Sequence, residues 1–317
     1  MFFVYIPNFF KQKTAKLLEM RGFKLLWGEN KEYERVQKNC LIHNNFKIVK
    51  GIGVKTQASL YEQGIKHWLE VENFEKPGNF TNKKWNQLKM HIQRAYDSLK
   101  CLDKEQIHQL IPKKFHWQLI PYFIGKIAYL DIETTGLYYT RSHITTIAVY
   151  DGEDVYEFIY DDNLDEFKEF IEKYPAVATF NGKTFDVPFI EYELGMKMDH
   201  IHFDLRWLLK KIGLKGGLKK IEKRIGIERP ESEGVDGYAA VLLWKKYEKT
   251  KDKKYLETLL AYNIEDVLNL EYLLHQAYNH LAFREDESIP LLDLPKCSVE
   301  NPFHADKNIV SEIMTEI

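Results

Sequence analysis

The sequence predicts an α/β fold: a mixed sheet flanked by helices over residues 115–282, behind a smaller, mostly helical N-terminal part. From Ile127 onward, short apolar runs alternate with segments of helical period, whereas the residues before it show the helical period alone. Charge divides at the same place. Residues 1–126 carry 22 Lys/Arg against 11 Asp/Glu and residues 127–317 carry 23 against 36, so a net charge of −2 conceals a front of +11 and a remainder of −13. A basic module joined to an acidic one suits a polyanion-binding part attached to a part that uses carboxylates for chemistry, and it equally suits solvated surface charge that happens to segregate.

In chain order, helical period marks residues 11–20, 56–63 and about 83–100, the last with Trp85, Leu88, Ile92, Tyr96 and Leu99 on one face. Residues 101–124 hold Pro112, Pro121, Phe115, Trp117, Tyr122 and Phe123 and read as a connector that packs against the α/β unit. The expected domains are therefore 1–110, 115–282 and a tail, 283–317. Strands are expected at 127–132, 143–150, 155–160 and 176–180, the second and third joined at Asp151-Gly152. Helices are expected at 164–173, 187–194, 205–212, 217–225, 238–248 and, as one long element, 253–280. The tail contains Pro290, Pro295 and Pro302 and one short helical stretch at 306–315.

Cys40, Cys101 and Cys297 match neither a disulfide framework nor a zinc pattern, which implies free, mostly buried thiols in a reducing compartment. The apolar start, Met1 to Phe10, is too short for a membrane span and has its positive charges after the apolar run, so no signal peptide is expected. The expectation is a cytoplasmic protein without membrane association.

Four carboxylates stand out. Asp131 and Glu133 are two residues apart at the end of an apolar strand, so both project from one face and repel unless water or a cation intervenes. Asp186 comes after an apolar strand and an Asn181-Gly182 turn, at the start of a helix, where taken alone it reads first as an N-terminal cap or a partner of the helix dipole. Tyr262 and Asp266 are four apart within an apolar helical stripe, where an aspartate needs either a buried ion pair or a metal. Hard divalent cations such as Mg²⁺ or Mn²⁺ prefer such oxygen ligands, and two of them about 4 Å apart can stabilise both oxygens of a phosphoryl displacement.

These residues resemble the DEDD superfamily of 3′–5′ exonucleases in its tyrosine-type branch, which has a ribonuclease H-like fold. The first motif is Leu130-Asp131-Ile132-Glu133-Thr134-Thr135-Gly136-Leu137, the second runs from Asn181 to Pro188, and the third is Tyr262-Asn263-Ile264-Glu265-Asp266. His202-Phe203-Asp204-Leu205-Arg206 and Leu243-Trp244 are similar to the YprB-like group of exonucleases. The resemblance covers about residues 115–282. It implies that Asp131, Glu133 and Asp266 ligate one metal, that Asp131 bridges to a second supported by Asp186, and that Tyr262 orients the nucleophile. It further implies release of nucleoside 5′-monophosphates from the 3′ end of DNA or RNA, with Thr134, Thr135, Gly136, Leu137, Asn181 and Phe185 touching the terminal nucleotide. Asp204 is a fifth acidic candidate, or a helix cap. Competing readings are a structure-selective endonuclease and a non-catalytic nucleic-acid-binding scaffold.

In the basic front, residues 46–66 look like a helix-hairpin-helix whose Gly51-Ile52-Gly53 turn would offer backbone amides to a phosphate, with Lys50 and Lys55 adding charge. Gln57 departs from the small residue usual at the packing contact of that motif. A second basic run, residues 206–229, has nine Lys/Arg against Glu222 and Glu228 and reads as a strand path or as a solvated helix face.

Overall fold

The computed structural model describes residues 40–227, 237–295 and 299–317. The helix expected at 11–20, the apolar start, Cys297 and the last two charges of the second basic run, Glu228 and Arg229, lie outside the described residues.

The described part of the front opens on two single 3₁₀ turns, Leu41–Asn44 and Phe46–Ile48, after which come α1 (Val54–Glu62), α2 (Asn82–Cys101), α3 (Lys104–Leu110) and α4 (Ile120–Phe123). Thr81 and Asp103 cap α2 and α3 by accepting from the amides of Lys84 and Gln106. The helical period of α2 buries Trp85, Leu88, Ile92 and Leu99. Of the two helices expected around the Gly51–Gly53 turn, only α1 is a helix. Asn45 is extended and its side chain accepts from the Lys47 amide, which interrupts the chain before a longer helix can form. Gln57, the departure from the motif, accepts from the Phe46 amide at 2.9 Å and ties α1 back to that turn. The connector is helical rather than irregular, with a 3₁₀ helix, Lys113–Leu119, between α3 and α4. It does pack against the α/β unit: Trp117 lies 6.3 Å from Tyr278 and Phe123 5.9 Å from Phe203, ring centre to ring centre. Cys40 is buried, and Cys101, the last residue of α2, is exposed.

Five strands form one sheet: β1 (Ile127–Thr134), β2 (Ile144–Tyr150), β3 (Val155–Ile159), β4 (Ala176–Thr179) and β5 (Ile201–Asp204), in the order β3-β2-β1-β4-β5. β2 runs antiparallel to β1 and β3, while β4 and β5 run parallel to β1. β5 has no counterpart among the expected strands. At four residues, with Ile201 and Phe203 on one face, it is too short to show a period of its own.

The helices of this part are α5 (Phe167–Ile171), α6 (Asp186–Leu194), α7 (Leu205–Lys211), α8 (Leu218–Ile225), α9 (Gly237–Thr250), α10 (Lys253–Leu268), α11 (Leu270–Glu285) and α12 (Lys307–Met314). The single helix expected at 253–280 is two, divided at Asn269, whose side chain donates to Glu222 on α8 and whose amide leaves the helical ladder for the Val267 carbonyl.

The pleat of β1 sorts its side chains between two cores. Ala128, Leu130 and Ile132 face one with Phe167, Ile171, Phe189 and Ile190 of α5 and α6. Ile127 and Tyr129 face the other with Leu209, Ile264, Val267, Leu273 and Tyr278, and that core continues without interruption into Leu88, Ile107 and Phe123 of the front. Among the described residues, no helix is long and apolar enough to cross a membrane. The architecture is α/β, a mixed five-stranded sheet flanked by helices with a helical N-terminal region.

Candidate active site

Because β1, β4 and β5 are parallel, their C-terminal ends share one edge of the sheet, where open α/β sheets place their ligands. Asp131 and Glu133 continue the face of Ile127 and Tyr129 toward that edge, opposite Ala148 and Thr146 of β2. Directly after Glu133 the ladder slips by one residue, so that Thr134 pairs with Ile144, a bulge of the kind that re-aims side chains beside functional sites.

α10 lies across this face and brings Asp266 to it. Ligand oxygens of Asp131, Glu133 and Asp266 all fall within 4.8 Å of one another. Asp186 is the first residue of α6 and is 3% exposed. Its Oδ1 is buried without a partner, and its charge acts on both Asp131 and Glu133. No side-chain hydrogen bond caps α6, so the cap reading falls away for Asp186.

The turn that delivers Asp186 is sterically closed. The Gly182 amide donates to Thr179 Oγ1 at 3.0 Å, and a Cβ on Gly182 would sit 2.3 Å from that oxygen, so no side chain fits there. Asn181 takes the left-handed conformation, φ 73°, which Asn tolerates better than most residues. Its Oδ1 accepts from Arg206 Nη1 at 2.7 Å and from Thr184 Oγ1 at 2.8 Å. Asp204 spends both oxygens on backbone amides, those of Asn181, Lys183 and Arg206, so it is a helix cap and a clamp on this turn rather than part of the acidic cluster.

The cluster is electrostatically costly. Burial first, then the charges of Asp266, Asp186 and Glu133, hold the Asp131 carboxyl well above the ordinary range. Burial and Asp266 do the same to Glu133, against the pull of Lys219. Burial, with the charge of Asp204 adding to it, pushes Asp186 up to about 7, opposed by backbone amides including that of Ile132. A set of carboxylate oxygens so placed, one of them buried with no donor, fits hard divalent cations, whose charge would offset the repulsion.

Two further residues act here to which the motifs assign no role. Asn263, fully buried, donates from Nδ2 to Asp131 Oδ2 at 2.9 Å and accepts at Oδ1 from Thr146 Oγ1 at 2.9 Å. It stands three residues before Asp266 and so shares its helix face; an asparagine in an apolar stripe is the signal that could have found it. Lys219, at the start of α8, donates to the Tyr262 hydroxyl and places Nζ 3.9 Å from the centre of that ring. Its only trace in the sequence is membership of the second basic run.

The remaining predicted contacts lie around the cluster or apart from it. Thr134 and Thr135 close the turn after β1, Thr134 Oγ1 donating to the Gly136 carbonyl at 2.7 Å and Thr135 Oγ1 accepting from the His143 amide at 3.0 Å. Leu137 is 77% exposed, and Phe185 packs 5.0 Å from Phe189. Lys50, Gly51, Gly53 and Lys55 are in the front, at the head of α1, beside a cavity of about 390 Å³ lined by Lys47, Lys50, Gly51, His91 and His108.

Residues 128–278 match the family model RNase_H_2, of the RNase_H superfamily. Among solved structures, the chain is similar to the family B DNA polymerase from the hyperthermophilic archaeon Pyrobaculum calidifontis, at 13% identity and a TM-score of 0.37. The likeness covers 48% of this chain and 25% of the polymerase, so the chain spans about a quarter of its length. No curated protein matches the chain.

Proposed function

We propose that the protein is a metal-dependent 3′–5′ exonuclease of the DEDD superfamily, of the tyrosine type and YprB-like, acting on single-stranded DNA or RNA in the cytoplasm. The observation that carries this reading is the meeting of Asp131, Glu133 and Asp266 within 4.8 Å, with Asp186 alongside. Residues 1–110 would form a nucleic-acid-binding module, 115–282 the nuclease and 283–317 a tail.

Asp131, Glu133 and Asp266 would hold one divalent cation, and Asp131 and Asp186 a second. Bound Mg²⁺ or Mn²⁺ acidifies water and offsets charge on phosphorus oxygens. The protein's own part is positional. Asn263 keeps Asp131 in one rotamer and Lys219 fixes the hydroxyl of Tyr262, which orients the incoming water. Water adds to phosphorus, the bond to the 3′ oxygen of the preceding nucleotide breaks, and that oxygen leaves with a proton, giving a nucleoside 5′-monophosphate. Thr134 to Leu137, Asn181 and Phe185 would border the terminal nucleotide. Lys50, Gly51, Gly53 and Lys55 would hold a phosphate farther along the strand.

Purified protein incubated with 5′-labelled single-stranded DNA and RNA, in Mn²⁺ or in EDTA, tests this. The expected result is a ladder shortening from the 3′ end, lost in EDTA and in Asp131→Asn. The same variant, relieved of one repelling charge, is expected to melt higher than the parent in EDTA. Cleavage that survives both EDTA and Asp131→Asn would overturn the assignment.

A further inference from the structure

The hairpin between β1 and β2 is held by backbone hydrogen bonds yet presents aromatic rings to solvent. Its base is closed by the Thr135 amide donating to the His143 carbonyl at 2.9 Å, and its tip by the amides of Arg141 and Ser142 donating to the Tyr138 carbonyl at 2.9 and 3.0 Å. Leu137, Tyr138 and Tyr139 at that tip are 77%, 69% and 43% exposed, and Tyr192 of α6 is 60% exposed. The rings are in register with one another. Tyr139 lies 5.3 Å from Tyr192 and 6.1 Å from Phe189, and Phe189 lies 5.0 Å from Phe185, the residue before Asp186. A line of aromatic rings thus runs from solvent to the acidic cluster.

We propose that Tyr138, Tyr139 and Tyr192 form a platform on which bases of a single-stranded nucleic acid stack as the strand approaches the acidic cluster. The inference rests on the nuclease reading above and deepens it by naming the side chains that would receive the single strand. Position argues for it. Tyr139 is six positions after Glu133, so chain length alone keeps the two within about 20 Å. Tyr192 stands six positions after Asp186 on α6, an advance of about 9 Å along the helix and a span of a few nucleotides. Chemistry argues for it as well. Every base has a π face that an aromatic side chain can meet without regard to sequence, and tyrosine keeps a wetted hydroxyl when no base is present. Bases of a duplex are already stacked on each other and cannot reach these rings. Charge fits too. Arg141, exposed on the same hairpin and without an ion pair among the described residues, would meet the backbone phosphates.

Fluorescence anisotropy in EDTA, with labelled oligothymidylate and a labelled blunt duplex as probes, separates binding from cleavage. The protein is expected to prefer the single strand. Y139A/Y192A should raise Kd for it about tenfold or more while leaving duplex binding unchanged, and Y139F/Y192F, which keeps the rings, should bind like the parent. Should Y139A/Y192A melt early, Tyr138→Ala, whose ring meets no other described ring, carries the same test with a smaller expected loss. Unaltered single-strand affinity in the alanine variants would overturn the platform, as would an equal loss in the phenylalanine variant, which would assign the effect to the hydroxyls. Sedimentation that reveals a dimer dissolved by Y139A/Y192A would give these rings to a second copy and likewise overturn it. A parent protein that binds no strand would remove the nuclease reading as well, whereas a parent that cleaves single strands beside an indifferent Y139A/Y192A would remove only the platform.

Discussion

Asn263 illustrates how one side chain can serve fold and chemistry together. It bridges Asp131 on β1 and Thr146 on β2, and it reaches both from α10. Replacing it by leucine of similar shape would leave the buried Thr146 hydroxyl without its acceptor and let Asp131 rotate, at a cost of about 1–3 kcal/mol. If Asn263 positions Asp131 for metal, Asn263→Leu should need about 10–100-fold more Mn²⁺ both to raise the melting temperature and to support cleavage. A variant whose melting temperature still climbs at the parent's Mn²⁺ concentrations would reduce Asn263 to a packing residue.

At the scale of elements, the tail has a role that its composition does not reveal. Asp306 caps α12, and α12 lays Ile309 and Ile313 into the same apolar cluster as Leu243 and Trp244 of α9 and Leu259 and Tyr262 of α10. Glu312 accepts from the Tyr255 hydroxyl at 2.9 Å and pairs with Lys246 at 2.9 Å, which holds α12 at a fixed register over the helix that carries Tyr262 and Asp266. That ion pair is partly open to solvent and contributes little by itself; the buried isoleucines carry the attachment. Ile313→Ala is accordingly expected to destabilise the protein by about 2–5 kcal/mol in urea unfolding. An unchanged midpoint would show that α12 merely rests on the surface. The division of the C-terminal helical stretch at Asn269 belongs to the same scale: periodicity continues across it, but a tertiary bond to Glu222 ends one helix and starts the next.

For the whole molecule, the separation of charge has a mechanical consequence. The front and the sheet share one core, in which Leu88, Ile107 and Phe123 are continuous with Tyr129 and Tyr278, so truncating the front would expose apolar surface rather than release a module. Charge reversal tests its contribution without that damage. K50E/K55E should weaken strand binding and flatten the dependence of log Kd on log salt by about one unit of slope for each phosphate no longer neutralised, while cleavage at saturating substrate persists. A slope equal to the parent's would place the strand elsewhere.

Much of the molecule is legible in the sequence because it depends on local geometry. A period of two puts Asp131 and Glu133 on one face of β1, and a period of 3.6 puts Tyr262 and Asp266 on one face of α10. The change from helical to alternating pattern at Ile127 sets the α/β class and the start of the sheet. What the chain cannot announce in any window is proximity between windows. The bonds from Asn263 to Thr146 and to Asp131 join residues 117 and 132 positions apart. They exist because β4 and β5 run parallel to β1 and gather three strand ends at one edge, while α10 crosses the adjoining face. Residue spacing determines the direction of a side chain; only the packing of sheet and helices decides what it meets, and here that turned four separately ambiguous carboxylates into one repulsive cluster with Asp204 left outside it as a cap.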